Sequence, residues 1–291
     1  DVPIASVTRR DERWTALFDH WIALMSGVDP TDASTADYGN FRDTGENWPV
    51  KDGFGALVAS FGRDEPVALT TPVEAIDWGG RRTGVRTRAG AIRARAVIVT
   101  VSTGVLASGV IRFEPALPAW KRDAIAALPM GRLNKVAIRF ARDAFGVPPL
   151  YVHSDTGSTE TMGFQLNPFG RALAIGYVGG RFSDSLERAG PAAMSAYAVE
   201  RLKAMFGSSI GRLVRASLCT RWGRNRRTLG SYSAARPGEA ARRALLATPL
   251  GDRLFFAGEA ASPDSFATVH GAYLTGIVAA KAVARALRRR G

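Results

Sequence analysis

The sequence predicts a mixed α/β fold in which short strands and helices alternate without internal repeats. Three observations carry this. Residues 254–256 (Leu-Phe-Phe) form an apolar run closed by Gly258, and a helix rich in small residues follows from Thr268 to about Arg288, which is the strand–glycine–helix pattern of an α/β unit. Residues 67–101 break into short β-rich runs separated by turn residues, Gly79 and Gly80 among them. Residues 108–217 mix strand-like runs with two helical segments.

Taken in order, residues 11–27 space apolar side chains three and four apart and end at Gly27, so they read as a helix. Residues 30–50 are polar and turn-rich. A second helix is predicted over 53–61. Short strands are predicted at 67–70, 73–78, 84–87, 91–93 and 96–101. Residues 118–127 read as a helix, and 135–140, 161–166, 172–178 and 213–220 as strands. Residues 191–206 read as a helix with Pro191 in its first turn. Within 133–140 strict alternation places Lys135 and Arg139 on one face and Asn134, Val136, Ile138 and Phe140 on the other. In the last helix Thr268 is the expected N-cap, and Gly271, Ala272, Leu274, Gly276, Ala279, Ala280 and Val283 form a close-packing face. The bare N–H groups of its first turn and the positive dipole end favour an anion or an electron-rich carbonyl.

Composition sets bounds on class. With 291 residues and 46% hydrophobic content the chain can build one large or two modest domains. No apolar run reaches the roughly 18 residues of a membrane span, and no basic-then-apolar signal opens the chain, so a cytoplasmic location is expected. Cys219 is the single cysteine, which excludes an internal disulfide, and it reads as a buried strand residue. Three dispersed histidines (His20, His153, His270) show no metal-ligand spacing, so no metal is expected. The formal charge is +13, almost all of it arginine, with clusters at 221–227 and 285–290. No aromatic interleaving or groove-reading motif accompanies the clusters. They read as a solvated, arginine-biased surface, and nucleic acid is not an expected partner.

Four ordered stretches resemble one family. The run Ala257-Gly258-Glu259 followed by Thr268-Val269-His270-Gly271-Ala272 is similar to the C-terminal flavin-binding segment of the flavin-containing amine oxidases, in particular the polyamine oxidase and lysine-demethylase branch. Residues 72–76 with 96–106, then 130–140, then Trp222 with residues 230–233, match in the family's order. The resemblance covers the chain from about Asn47 onward. It implies an FAD-binding domain of discontinuous, Rossmann-like segments with an inserted substrate domain of mixed sheet and helices. The expected division is a helical part of the substrate domain (1–47), an FAD-binding segment (48–107), the substrate domain (108–217) and a C-terminal FAD-binding segment (218–291). The family's opening strand–Gly-x-Gly-x-x-Gly–helix unit has no counterpart here. Gly53-Phe54-Gly55 is the nearest decoy, but Val58 replaces the third glycine and Pro49 interrupts the preceding strand. The chain therefore reads as part of a longer protein or of a split or processed enzyme, with a separate N-terminal FAD-binding piece as partner.

The resemblance also implies site roles. Lys135 would hold a water near the flavin and stabilise developing negative charge, whereas pattern alone makes it a solvent-facing strand lysine. Tyr232 would form one wall of an aromatic slot for the amine, with Thr268 at the facing position, so the slot is one-sided. The alternative for Tyr232 is a core or turn tyrosine. Trp222 would pack along the flavin or its ribityl chain, Glu259 would accept from ribityl hydroxyls or the pyrophosphate donors, and Val73 would offer its backbone to the adenine. Their plain alternatives are burial for Trp222 and a dipole-complementing helix acid for Glu259. Gly258, Thr268, Val269 and Ala272 complete the cofactor set, with Gly271 and Ala272 leaving room for the ring. Ser231 stands where monoamine oxidases carry their flavin-linking cysteine, so FAD is expected to be non-covalent.

Two departures shape the substrate. Residues 101–106 read Val-Ser-Thr-Gly-Val-Leu rather than Val-Pro-Leu-Gly-Val-Leu, and residues 223–227 read Gly-Arg-Asn-Arg-Arg where Asp-Pro is common. The added positive charge disfavours a polycation by repulsion, leaving an amino acid or a neutral amine, with O2 as the second substrate. The competing reading is a non-catalytic partner subunit or truncated remnant of such an oxidase.

Overall fold

In the computed structural model, residues 1–10, 13–46 and 48–289 are described. Helix α1 (Thr15–Ser26) occupies the first predicted helix and stops at Gly27, whose N–H donates to the Ala23 carbonyl; residues 11 and 12 of that prediction lie outside the described residues. The polar stretch that follows is not wholly irregular. Ser34 accepts from the Asp37 N–H at 2.9 Å and so caps a short helix, α2 (Thr35–Asn40). Helix α3 (Phe54–Phe61) forms as predicted but buries none of its residues.

Strands β1 (Val73–Asp77), β2 (Thr83–Thr87) and β3 (Gly90–Ala94) form an antiparallel meander. Strand β4 (Val97–Val99) and helix α4 (Thr103–Ala107) follow, and β5 (Arg112–Glu114) returns to pair parallel with β1. The strand predicted at 67–70 does not form. Both edges of β1 are taken by β2 and β5, and Val67 and Leu69 remain exposed at 66% and 77%. Helix α5 (Ala119–Ala127) then leads to the largest sheet.

That sheet contains β6 (Leu133–Phe140), β7 (Leu150–His153), β8 (Gly163–Leu166) and β9 (Leu173–Gly179). After helices α6 (Gly180–Ala189), α7 (Pro191–Phe206) and α8 (Ile210–Leu213), β10 (Val214–Cys219) completes the order β10-β6-β9-β8-β7, antiparallel throughout. The alternation in β6 holds. Val136, Ile138 and Phe140 are buried with Met194 and Leu202 of α7, while Lys135 and Arg139 are exposed. Each such buried side chain contributes about 1.5–3 kcal/mol. Helix α6 was not predicted because its ten residues carry only Phe182 and Leu186 as large apolar groups.

The chain ends with α9 (Arg242–Ala247), β11 (Leu254–Phe256) and α10 (Val269–Arg289). β11 lies parallel to β4, pairing Leu254 with Val97 and Phe256 with Val99. Ile76, Val99, Ile125, Leu128, Leu254 and Phe256 share one core, so two chain segments far apart in sequence build one unit, and its core reaches through Leu128. On α10 the predicted small-residue face is only partly right. Gly271, Ala279 and Ala286 are buried, but Leu274 is 50% exposed and Ala280 also faces outward.

Candidate active site

Parallel β4 and β11 end side by side, and the chain turns away from both there. After β11, Gly258 adopts φ 136°, open to glycine, and its N–H donates to Thr275 Oγ1 of α10 at 3.0 Å. After β4, Ser102 Oγ donates to the Thr228 carbonyl at 2.6 Å and caps α4 by accepting from the Val105 N–H. Between the turns lies a cavity of about 210 Å³, lined by Thr103, Met130, Ser231, Gly258, Glu259 and Ala272 among others. Two observations suit it to a polar ligand. Thr103 Oγ1 is buried without a hydrogen-bond partner, and a Cβ placed on Gly258 would meet nothing nearer than the Thr100 carbonyl at 3.9 Å.

A second cavity, of about 260 Å³, lies across the turn that contains Ser231 and Ser233. Leu24, Tyr38, Phe41, Tyr232, Phe266 and Thr268 are among its walls. The structure thus brings Tyr232 and Thr268 to one cavity, and Phe41 and Phe266, which touch edge to face at 5.4 Å, supply aromatic surface that the sequence reading missed. The Tyr232 hydroxyl donates to the Leu24 carbonyl of α1. Burial, with the Glu259 carboxylate nearby, pushes its pKa above the ordinary phenol value.

Thr268 is the N-cap, as predicted. Its Oγ1 accepts from the Gly271 N–H at 2.9 Å and donates to the Ser265 carbonyl at 2.6 Å, and the Ala272 N–H bonds the Thr268 carbonyl. Two of the four N–H groups thought free at this helix start are therefore already engaged. Gly271 also needs correcting. A Cβ there would lie 1.8 Å from the Ser265 carbonyl oxygen, so the glycine admits the preceding loop rather than a flavin ring. Val269 is exposed in the first turn, whereas Ala272 lines the first cavity.

Glu259 is held by three hydrogen bonds from its own chain. Its oxygens accept from the Ser233 N–H (2.9 Å), Ser233 Oγ (2.8 Å) and the Ala267 N–H (2.7 Å). In this arrangement the carboxylate ties the Tyr232 turn to the loop entering α10, instead of reaching outward as a ribityl acceptor.

Lys135 lines neither cavity. Its backbone N–H donates to Thr220 Oγ1 at 2.7 Å, and its Nζ lies 5.2 Å from the ring centre of Tyr177, its register partner on β9. The residue is exposed overall, yet its sheet surroundings partly desolvate the ammonium and lower its pKa. Trp222 sits half-exposed in a single 3-10 turn, Trp222–Arg224. Asn134 Oδ1 accepts from its N–H at 3.2 Å, and Glu187 accepts from the next two, Gly223 at 3.3 Å and Arg224 at 2.7 Å. Val73 opens β1 and lies outside both cavities. Asn134 carried a visible signal, a polar residue on an apolar strand face. Asp37, Glu187 and Arg243 carried none, because each sits in a segment that reads as solvated.

The family profile for flavin containing amine oxidoreductases matches residues 8–284. The chain belongs to this family. Similar proteins include the lysine-specific histone demethylase 1 homolog 1 of Oryza sativa subsp. japonica, 34% identical over 256 residues, covering 84% of this chain and 30% of that protein. Polyamine oxidase 5 of the same organism is 33% identical over 246 residues, covering 82% of this chain and 49% of that protein. This member of the flavin containing amine oxidoreductases thus spans 30% and 49% of those two relatives' lengths. In structure it is similar to cyclohexylamine oxidase from Brevibacterium oxydans IH-35A, with TM-score 0.75 and 23% identity over 98% of this chain and 67% of that one, which shows the shared fold. Among the described residues no cluster of His, Cys, Asp or Glu could hold a metal ion, and no helix is long and apolar enough to cross a membrane.

Proposed function

We propose that this chain supplies the amine-binding part of an FAD-dependent amine oxidase, acting within a longer or split enzyme. The observation that carries the reading is the pair of cavities sharing one turn, a largely apolar one at the ends of β4 and β11 that also presents Thr103, Ser231 and Glu259, and an aromatic one beside it. Thr103, Ser231, Gly258 and Ala272 are the residues proposed to hold the flavin end of FAD. When bound, FAD accepts a hydride from the carbon beside the amine and passes two electrons to O2, so an imine and H2O2 result. Ser231 carries a hydroxyl and no thiol, so the cofactor is held non-covalently. The positive end of α10, whose Ala272 lines the first cavity, favours negative charge there by roughly 0.3–2 kcal/mol.

Tyr232 and Phe41 are proposed to receive the amine, by shape and by attraction of an ammonium to ring faces, while Phe266, whose ring already carries the Arg243 guanidinium, adds apolar wall. Lys135 is proposed to act electrostatically on the same reaction, from the row of β6 and β9 that it shares with Tyr177. The arginines after Trp222, Arg224, Arg226 and Arg227, favour an amino acid or neutral amine over a polycation.

Two features support a further piece of chain or a separate partner. β4 and β11 make a two-stranded parallel sheet, and the second edge of β4 pairs with no strand among the described residues. Parallel sheets of two strands are rarely left uncovered. Helix α3 exposes Phe54, Leu57 and Phe61, and Phe61 meets Tyr273 of α10 edge to face at 5.6 Å. A βαβ unit carrying pyrophosphate donors would extend the sheet and cover that face. The test is to measure flavin absorbance and amine-dependent H2O2 for the chain alone and with a glycine-rich βαβ piece. Flavin retained and peroxide formed only with the piece supports the proposal. No flavin in either case overturns it and leaves the non-catalytic reading.

A further inference from the structure

A groove of about 1040 Å³ lies at the end of β11 opposite to the cavities, and five arginines line it: Arg81, Arg82, Arg93, Arg95 and Arg253. Among the described residues Asp77 is the one carboxylate in its wall, and its Oδ1 accepts from the Gly79 N–H at 3.2 Å. Backbone carbonyls position two of the guanidiniums. Arg253 Nη1 donates to the carbonyls of Gly79 and Gly80, and Arg95 Nη2 to that of Leu287 at 3.0 Å. A neutral carbonyl orients a guanidinium without cancelling its charge. Arg81, Arg82 and Arg93 are exposed and make no ion pair among the described residues. Some arginines elsewhere do pair, as Arg243 does with Asp37, Arg181 with Asp32 and Arg289 with Asp252.

We propose that this groove binds the phosphate backbone of a nucleic-acid duplex. The planar fork of arginine matches phosphate oxygens two at a time, and five forks in one open groove suit a row of phosphates better than a single anion. Among the described residues no aromatic side chain lines the groove, so the base stacking that holds single strands is missing and recognition rests on the backbone. The formal charge of +13 adds long-range attraction to a polyanion. The sequence hides this because the fold gathers the arginines from three separate segments, residues 81–82, 93–95 and 253, and not from the linear clusters at 221–227 and 285–290. The groove is independent of the flavin reading.

The experiment is anisotropy of a labelled duplex titrated with the full chain at several salt concentrations, comparing the parent with Arg81→Gln/Arg82→Gln/Arg93→Gln. A control triple, Arg142→Gln/Arg212→Gln/Arg215→Gln, removes equal charge from the far end of the β6–β10 sheet, and circular dichroism checks that each variant is folded. Loss of three phosphate contacts lowers the slope of log affinity against log salt by about 2.7 and weakens binding on the order of 10²-fold at ~0.1 M salt. The control keeps the parent slope. Equal losses in both triples would mean net charge alone and overturn the site, as would absence of duplex binding. Capture of inorganic polyphosphate or of an acidic peptide, without duplex binding, overturns it equally.

Discussion

Arg243 and Asp37 stand 206 residues apart in the chain and meet in a buried two-pronged ion pair, Nε to Oδ1 and Nη2 to Oδ2, both at 2.7 Å. Asp37 Oδ2 also accepts from the Ala235 N–H at 3.0 Å, and the guanidinium lies 3.8 Å from the ring centre of Phe266. Arg243 Nη1 donates to Ser233 Oγ at 2.9 Å, and Ser233 Oγ donates onward to Glu259. One polar chain therefore runs from α2 through α9 to the turn and loop that separate the two cavities. Both members are almost fully enclosed, with side chains 1% and 7% exposed, so neither tolerates loss of the other.

Asp37→Ala should destabilise the fold by about 3–5 kcal/mol, since it strands a buried guanidinium without its counter-charge. Urea unfolding monitored by circular dichroism measures this. Arg243→Lys should recover little, because a single ammonium cannot span both carboxylate oxygens. A variant as stable as the parent would show that the pair contributes nothing.

Lys121 makes a second buried commitment. It has no exposed surface, and its Nζ donates to the carbonyls of Leu245 (2.9 Å), Leu246 (2.8 Å) and Thr248 (2.6 Å), closing the C-terminal end of α9. Burial pushes its pKa down to about 7, while three acceptors matched to three N–H donors favour the ammonium. Lys121→Met keeps the length of the side chain and leaves the carbonyls unpaired. It should cost about 3 kcal/mol or more, read as a lower denaturant midpoint at constant slope.

The test of Lys135 separates chemistry from architecture. In the flavin-loaded enzyme, Lys135→Met should slow flavin reduction or reoxidation, with flavin content and fold unchanged. A positioned polar group acting on developing charge contributes ~2.7–4 kcal/mol, or roughly two to three decades in rate. Rapid-mixing traces that overlay those of the parent in both half-reactions would leave Lys135 as a strand lysine above Tyr177.

The elements most legible in the sequence are those whose signal is local. The alternation of β6, the proline-led α7 and the Thr268 cap of α10 are all written in a few neighbouring residues, and all form. The run at 67–70 has strand-like residues, but both edges of the adjoining β1 are taken by β2 and β5, which only the sheet order reveals. Gly271 could be recognised as a close-approach position, but not what approaches it. Arg243, Asp37 and Glu187 were illegible for a deeper reason: a buried charge looks like a surface charge until its distant partner is known.

His20 couples the fold to acid. It lies on α1 with 2% of its surface exposed, edge-on to His153 at 5.5 Å, and its Nε2 has no partner. Burial first, and repulsion from His153 second, lower its pKa from 6.5 to about 4. Protonation is thus easier in the unfolded chain than in the folded one. Stability is fully present above pH 6.5, falls as the pH drops from 6.5 toward 4, and levels off below, because only in that window does the unfolded state bind the extra proton. The loss between pH 7 and pH 4 is about 3 kcal/mol from this group. His153, whose pKa burial also lowers, adds in the same direction, so the comparison must be between parent and His20→Leu and not between two pH values alone. Urea unfolding at both pH values should show a shallower acid loss in His20→Leu. An identical acid loss in the two proteins would assign the sensitivity to other groups.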